Sequence, residues 1–341
     1  MARNRVAKLQ SRRTDATMKA STIYEVYDRI SEDESVRYAI GAMQPIEKEY
    51  TANTYAEGDR VKSQLETLNT LEPIVGFEYQ GSVTNDTHIK AHSDIDLLAI
   101  HNKFFSVQPP GTPIYPYKGD FLQDLKDLRQ MSVTNLRKAF PAVDVNDKAG
   151  KCIALSGGSL RREIDVVISN WWDTVEYQKS GQKVDRGIKI FDSFLNECIE
   201  NKPFKHNLLI DIKDREVGGN LRKVIRLLKS LKYDAEPPIR ISSYDIASIA
   251  FDMPMASLVA PHGSELLLVE SARSFLKMLI DNKSYREFVQ VPNGMRPIFS
   301  SEGATLEGLV SLHREVVDLI TDINNGLSRS FKKLGDARIV Y

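Results

Sequence analysis

At 341 residues the chain can hold one large domain or two of ordinary size, and its apolar content is ample for a core. Lysine plus arginine and aspartate plus glutamate number 46 each, so the net charge is zero, which argues against a protein that coats nucleic acid or a membrane surface. The two cysteines, Cys152 and Cys198, match no metal-ligand or redox spacing and point to packing roles in a reducing compartment. No apolar run reaches the roughly 20 residues that span a bilayer, and no signal-like apolar stretch follows the basic start, so a cytoplasmic location is expected.

Residues 1–20 carry Arg3, Arg5, Lys8, Arg12, Arg13 and Lys19 with almost no large apolar residue, and read as a loosely ordered basic arm. From Met18 to Asn69 the pattern is helical. Ile30, Val36, Tyr38 and Ile40 belong to one segment, while Val61, Leu65 and Leu68 give the stripe of a longer helix closed by Pro73.

The stretch Gln80-Gly81-Ser82 to Ser93-Asp94-Ile95-Asp96-Leu97-Leu98-Ala99-Ile100 then dominates the chain. In a strand, residues i and i+2 share a face, so Asp94 and Asp96 point together while Ile95 and Leu97 enter the core. Carboxylates so close repel one another, and a divalent cation is the usual compensation. All-oxygen ligands favour a hard ion, Mg2+ first. Gly81-Ser82 follows the largely apolar Pro73 to Tyr79, and a glycine there lets backbone N–H groups approach an anion such as a triphosphate. His88 and His92 stand at i, i+4 and read as solvated loop residues, with a metal or phosphate contact as the alternative.

Gln108 to Pro116, rich in proline, is a loop. Phe121, Leu125, Leu128, Ser132 and Leu136 mark an amphipathic helix ended by Pro141. Val143 to Val145, Cys152 to Leu155 and Glu163 to Ile168 read as strands of an antiparallel extension, and the last carries Asp165 inside an apolar run. Trp171 to Ile212 is mixed, with Trp171-Trp172 expected to pack between lobes. From Gly219 the chain is nearly all helix-forming. Leu221, Val224, Ile225, Leu228 and Leu231 form one face; Arg222, Arg226 and Lys229 form a basic stripe that either meets triphosphate oxygens or is an ordinary solvated face. Ser242 or Ser243, before Tyr244, is suited to cap the next helix. Two further helices are expected over 264–282 and 302–333. There is no P-loop, His-Glu-x-x-His or paired Cys-x-x-Cys, which leaves P-loop NTPases and zinc enzymes without support.

Gly81-Ser82, Thr87, Ile89 and Ser93-Asp94-Ile95-Asp96-Leu97, at these offsets, resemble the signature of DNA-polymerase-beta-like nucleotidyltransferases. The resemblance implies an α+β, two-lobed fold, with a mixed catalytic sheet and flanking helices joined to a C-terminal helical lobe. It divides the chain into a basic arm (1–20), a catalytic core (21–215) and a helical lobe (216–341). It also implies a third carboxylate on a neighbouring strand, for which Asp165 qualifies. Asp94, Asp96 and Asp165 would then hold two Mg2+ ions, with Mn2+ as a substitute, and Gln80, Gly81 and Ser82 would meet the nucleotide. A basic helix followed by Ser-Ser-Tyr is similar to the arrangement in cyclic GMP-AMP synthases and oligoadenylate synthetases. On that ground Lys229 and Ser243 are assigned to the triphosphate and Tyr244 to the base. The expected activity is joining of NTPs into a cyclic di- or trinucleotide messenger, with pyrophosphate released, in bacterial anti-phage signalling through a cyclic-nucleotide-activated effector. Membrane association is not expected, nor nucleic acid as activator, given the zero net charge. The alternatives are nucleotidyl transfer to RNA, a protein or a small-molecule hydroxyl, and a silent regulator that keeps the fold.

Overall fold

In the computed structural model, residues 5–13, 33–69, 73–89 and 94–338 are described, the side chains of 329–338 excepted. The expectations for Arg3, Lys19, Ile30, His92 and Ser93 lie outside these residues. The described residues of 1–46, 89–91 and 210–341 form one unit, which is helical; those of 47–88 and 92–209 form the other, which carries the sheet.

The helical unit begins with α1 (Arg5–Arg13) and α2 (Glu34–Met43). The sheet unit follows as α3 (Lys48–Glu66), β1 (Val75–Gln80), β2 (Ile95–Val107), α4 (Phe121–Ala139), β3 (Asp144–Asn146), β4 (Ile153–Ser156), β5 (Ile164–Asp173), α5 (Val175–Ser180), β6 (Gly187–Asp192) and β7 (Glu197–Asn201). The division between units falls within α6 (Pro203–Glu216). The helical unit resumes with α7 (Asn220–Asp234), α8 (Ser243–Asp252), α9 (Leu266–Asp281), α10 (Lys283–Phe288) and α11 (Leu306–Arg338). Among the described residues no helix is long and apolar enough to cross a membrane.

The mixed seven-stranded sheet has the order β1-β2-β5-β4-β3, with β6 paired to β5 and β7 to β6. Strands β3, β4 and β5 form the expected antiparallel extension, and β5, which carries Asp165, is also antiparallel to β6 and parallel to β2. Strand β2 lies inside the sheet and is buried on both faces over its first half, which is why Ile95 to Ile100 is an apolar run interrupted only by Asp96. On one face Ile95, Leu97 and Ala99 join Ile164, Val166 and Ile168 against Val61 and Leu65 of α3 and Leu125, Leu128 and Leu136 of α4. Each such side chain, removed from water, contributes roughly 1.5–3 kcal/mol. On the opposite face Leu98, Ile100 and Val167 form a smaller cluster with Ile188, and the carboxylates stand beside it. Trp172 is buried, and Gly187 of the neighbouring strand sits directly against its ring within the sheet unit.

Helix α4 is defined by its buried stripe and by Asp120, whose carboxylate accepts from the Leu122 and Gln123 amides at 3.1 Å each. An Asp120→Ala substitution is expected to lower stability by about 1 kcal/mol in denaturant unfolding, with synthesis unchanged.

In the helical unit, Tyr38 and Met43 of α2, Leu228 and Leu231 of α7, and Leu312 and Val316 of α11 share one core. Residues 5–13 depart from the expectation of a loose arm. They form a helix whose Arg12 pairs with Asp234 at 2.8 Å and whose Arg5 pairs with Glu315 at 3.2 Å, both arginines being buried. Tyr38 Oη also donates to Asp234 at 2.8 Å. Basic residues that look solvated by composition are thus consumed by acids more than 200 positions away, a pairing no local pattern reveals.

Candidate active site

Strand β1 ends at Gln80, and the chain turns sharply at Gly81, whose φ of +87° lies in the region that favours glycine. The following turn is closed by the Thr87 amide donating to the Ser82 carbonyl at 2.9 Å and by Thr84 Oγ1 donating to the Gly81 carbonyl at 2.8 Å. Asn207 braces it from α6, donating to Thr84 Oγ1 at 2.9 Å and accepting from Asn85 at 3.3 Å. His88 is buried, 3.0 Å from Thr51 Oγ1, and so ties the turn to α3 instead of lying in solvent.

The register of the sheet assembles the acids. Gln80 pairs with Asp96 across β1 and β2, Asp96 pairs with Asp165 across β2 and β5, and Asp165 pairs with Ala154 across β5 and β4. Paired residues share a face, so these four side chains form one row across four strands. Asp94, just before β2, is exposed. Burial, then the neighbouring Asp165 and Asp94 carboxylates, push Asp96 up to about 7. Asp165 is also raised, by burial and by Glu163, while a hydrogen bond from the Cys152 thiol acts in the opposite direction. Burial and the same Asp165 push that thiol up to about 12. Gly81 has a second reason to be glycine: a Cβ there would stand 2.0 Å from Asp96 Oδ2. Gln80 Oε1 is buried without a hydrogen-bond partner among the described residues.

Among the described residues no group of three or more His, Cys, Asp or Glu side chains forms a ready metal cage. The donor set nevertheless fits a hard cation: carboxylate oxygens only, in a site where burial first, and the Asp165 and Asp94 carboxylates next, disfavour the charge on Asp96. A cation would relieve that repulsion.

The other expected residues lie on the helical unit. Lys229 is 4 % exposed, and burial, with Lys232 and Arg226 adding to it, lowers its ammonium to about 7. Its stripe is not a solvated face. Arg226 is buried with Nε donating to the Met43 carbonyl at 2.8 Å, and Arg222 pairs with Asp214 at 2.7 Å. Of the two serines, Ser242 is the cap, accepting from the Asp245 amide at 2.9 Å; Ser243 opens α8 and is exposed. Tyr244 is half-buried, its hydroxyl 3.2 Å from Asn293 Oδ1 and one ring face beneath the Arg296 guanidinium at 5.5 Å. Asn207 is not legible from sequence, because it lies in no motif and reaches the turn through the placement of α6.

A mixed sheet whose central parallel strands align two acids beside a glycine turn defines a nucleotidyltransferase of the polymerase-beta-like class. No family model matches the sequence. The chain is 38% identical over 295 residues to the cyclic dinucleotide synthase CdnE of Yersinia aleksiciae, covering 85% of this chain and 77% of that one. It is 27% identical over 350 residues to a c-di-GMP synthase of a Lachnospiraceae bacterium, covering 94% and 98%. The solved structure of the STING-associated CdnE c-di-GMP synthase from Capnocytophaga granulosa superposes with a TM-score of 0.78 at 27% identity, covering 94% and 98%. The chain belongs to the CdnE family of cyclic dinucleotide synthases. It is a divalent-metal-dependent nucleotidyltransferase that joins NTPs into a cyclic oligonucleotide messenger, the chemistry of bacterial anti-phage signalling.

Proposed function

We propose that the product is c-di-GMP, made from two GTP molecules with loss of two pyrophosphates at a centre formed by Asp94, Asp96 and Asp165. The observation that carries the site is the register of Asp96 with Asp165, where burial and then the neighbouring carboxylates raise Asp96 to about 7. The choice of guanine rests on relatives that align over most of this chain and are named c-di-GMP synthases.

Asp94, Asp96 and Asp165 would hold two Mg2+ ions, for which Mn2+ can substitute. When bound, such ions neutralise charge on the triphosphate and lower the pKa of the acceptor hydroxyl. Asp165 takes the acceptor proton as general base while the hydroxyl oxygen bonds to the α-phosphorus and the bond to pyrophosphate breaks. A second transfer between the two joined nucleotides closes the ring. Gly81 keeps Asp96 at the turn, and Gln80 and Ser82 contact the nucleotide, the unsatisfied Gln80 Oε1 supplying an acceptor. Lys229 and Ser243 are assigned to the triphosphate and Tyr244 to the base; for these three the family resemblance is the support. The sheet unit is taken as the catalytic core and the helical unit as its lobe. The enzyme is placed in the cytoplasm, where a cyclic-dinucleotide-responsive effector reads the product and no nucleic acid activator is required.

The test supplies each labelled NTP alone and in pairs with Mg2+ or Mn2+, followed by phosphatase and chromatography. GTP alone is expected to yield a phosphatase-resistant product that co-migrates with c-di-GMP. A product that requires ATP or a pyrimidine nucleotide would overturn the guanine assignment and leave the carboxylate centre standing.

A further inference from the structure

The turn after β1 is threaded by side chains that donate head to tail. Thr87 Oγ1 donates to Asn85 Oδ1 at 2.5 Å, Asn85 Nδ2 to Asn207 Oδ1 at 3.3 Å, Asn207 Nδ2 to Thr84 Oγ1 at 2.9 Å, and Thr84 Oγ1 to the Gly81 carbonyl at 2.8 Å. Asn207 stands on the part of α6 that belongs to the sheet unit, so every link lies within that unit. A hydroxyl has one proton to give. Because Thr84 Oγ1 accepts from the Asn207 amide, its own proton is directed onto the Gly81 carbonyl. That carbonyl and the Ser82 amide belong to one planar trans peptide and point in opposite directions. The backbone freedom of Gly81, at φ +87°, would let this plane turn over, and the Thr84 hydroxyl holds it in one orientation. The Ser82 amide, aimed away from Thr84, meets no acceptor among the described residues.

We propose that Thr84 and Asn207 are positioning residues for nucleotidyl transfer, fixing the Gly81-Ser82 peptide so that the Ser82 amide donates to the triphosphate. The proposal rests on the reading of the Gly81-Ser82 turn as a nucleotide contact. A hydrogen bond from an amide to an anion is among the stronger kinds, and an amide already facing its acceptor makes it without a further loss of conformational freedom. A Thr84 that only packed the turn would act alike on ligands with one phosphate and with three.

The test measures KM and kcat with GTP, and the dissociation constants of a non-hydrolysable GTP analogue and of GMP, with folding checked by circular dichroism. The variants are Thr84→Val, Thr84→Ser, Asn207→Ala and the combination of Thr84→Val with Asn207→Ala. Thr84→Val keeps the shape and removes the hydroxyl; it is expected to raise KM and weaken the analogue about tenfold, with kcat within about twofold of wild type. Binding of GMP, which lacks the β and γ phosphates, is expected to stay unchanged. Thr84→Ser, which keeps the hydroxyl, should recover most of the loss. Because both residues act through one chain of hydrogen bonds, the combined variant is expected to lose no more than about twofold beyond Thr84→Val alone. Wild-type affinity for the analogue in Thr84→Val, or an equal loss in Thr84→Ser, would overturn the proposal, as would losses that multiply in the combined variant or fall equally on GMP. Ser82→Pro deletes the amide hydrogen itself. Wild-type binding of the analogue by that variant would sink the reading of the turn as a nucleotide contact, whereas weak binding there beside wild-type binding in Thr84→Val strikes only the positioning role.

Discussion

Asp96→Asn is expected to lower cyclic-dinucleotide synthesis by on the order of 10³-fold while making the metal-free protein more stable at pH 8. Both effects have one cause. The Asp96 carboxyl is raised from 3.8 to about 7 by burial and by Asp165 and Asp94, so its charged form is disfavoured in the folded chain. The folded state then holds a proton that the unfolded state has released between about pH 4 and about 7, and stability falls as pH rises through that window. Above it the charge remains, with a penalty on the order of a few kcal/mol. The amide is nearly isosteric and uncharged, so it removes the penalty together with the charge that draws a cation. Thermal unfolding of both proteins in EDTA from pH 5 to 8 measures this: the variant's midpoint rises relative to the wild type's as pH increases, while Lys229, whose lowered ammonium acts in the opposite sense above about 7, is common to both. An active variant, or one less stable than wild type at pH 8, would contradict the account.

Gly81→Ala should reduce kcat/KM by at least about 10²-fold, a much larger effect than a single methyl ordinarily has in a surface turn. The added Cβ would lie 2.0 Å from Asp96 Oδ2, closer than atoms can approach, so the carboxylate must swing away from its row. The positive φ adds backbone strain of about 1 kcal/mol, too little to unfold the unit. The expected result is a folded protein with normal secondary structure and weakened Mn2+ binding, because the displaced group is a proposed ligand. Activity near wild type would mean that Asp96 does not need its present position.

The proposed carboxylate centre was legible from sequence in part. Asp94 and Asp96 stood out because strand periodicity is local, and Asp165 as the acid inside an apolar strand that the family resemblance calls for. Their alignment was not legible, since the register of β2 against β5 is set by packing between segments far apart in the chain. The helical stripes of α4 and α7 followed from apolar spacing, and of the two serines suited to cap α8 the structure uses Ser242. The burial of Lys229 and Arg226 ran against their charge, because long-range packing of α7 against α2 buries a face that composition marks as polar. His88 and Asn207 act through partners distant in sequence, and only coordinates bring such groups together.

The most direct measurement of the central claim is mass spectrometry of the product formed by folded wild-type and Asp165→Asn protein from GTP with Mg2+. The account predicts a cyclic dinucleotide from the wild type and none from the variant, at equal circular dichroism and equal thermal midpoints within a few degrees. A cyclic product from Asp165→Asn at the wild-type rate would contradict it, because the aligned pair of acids would then not be the centre that joins the nucleotides.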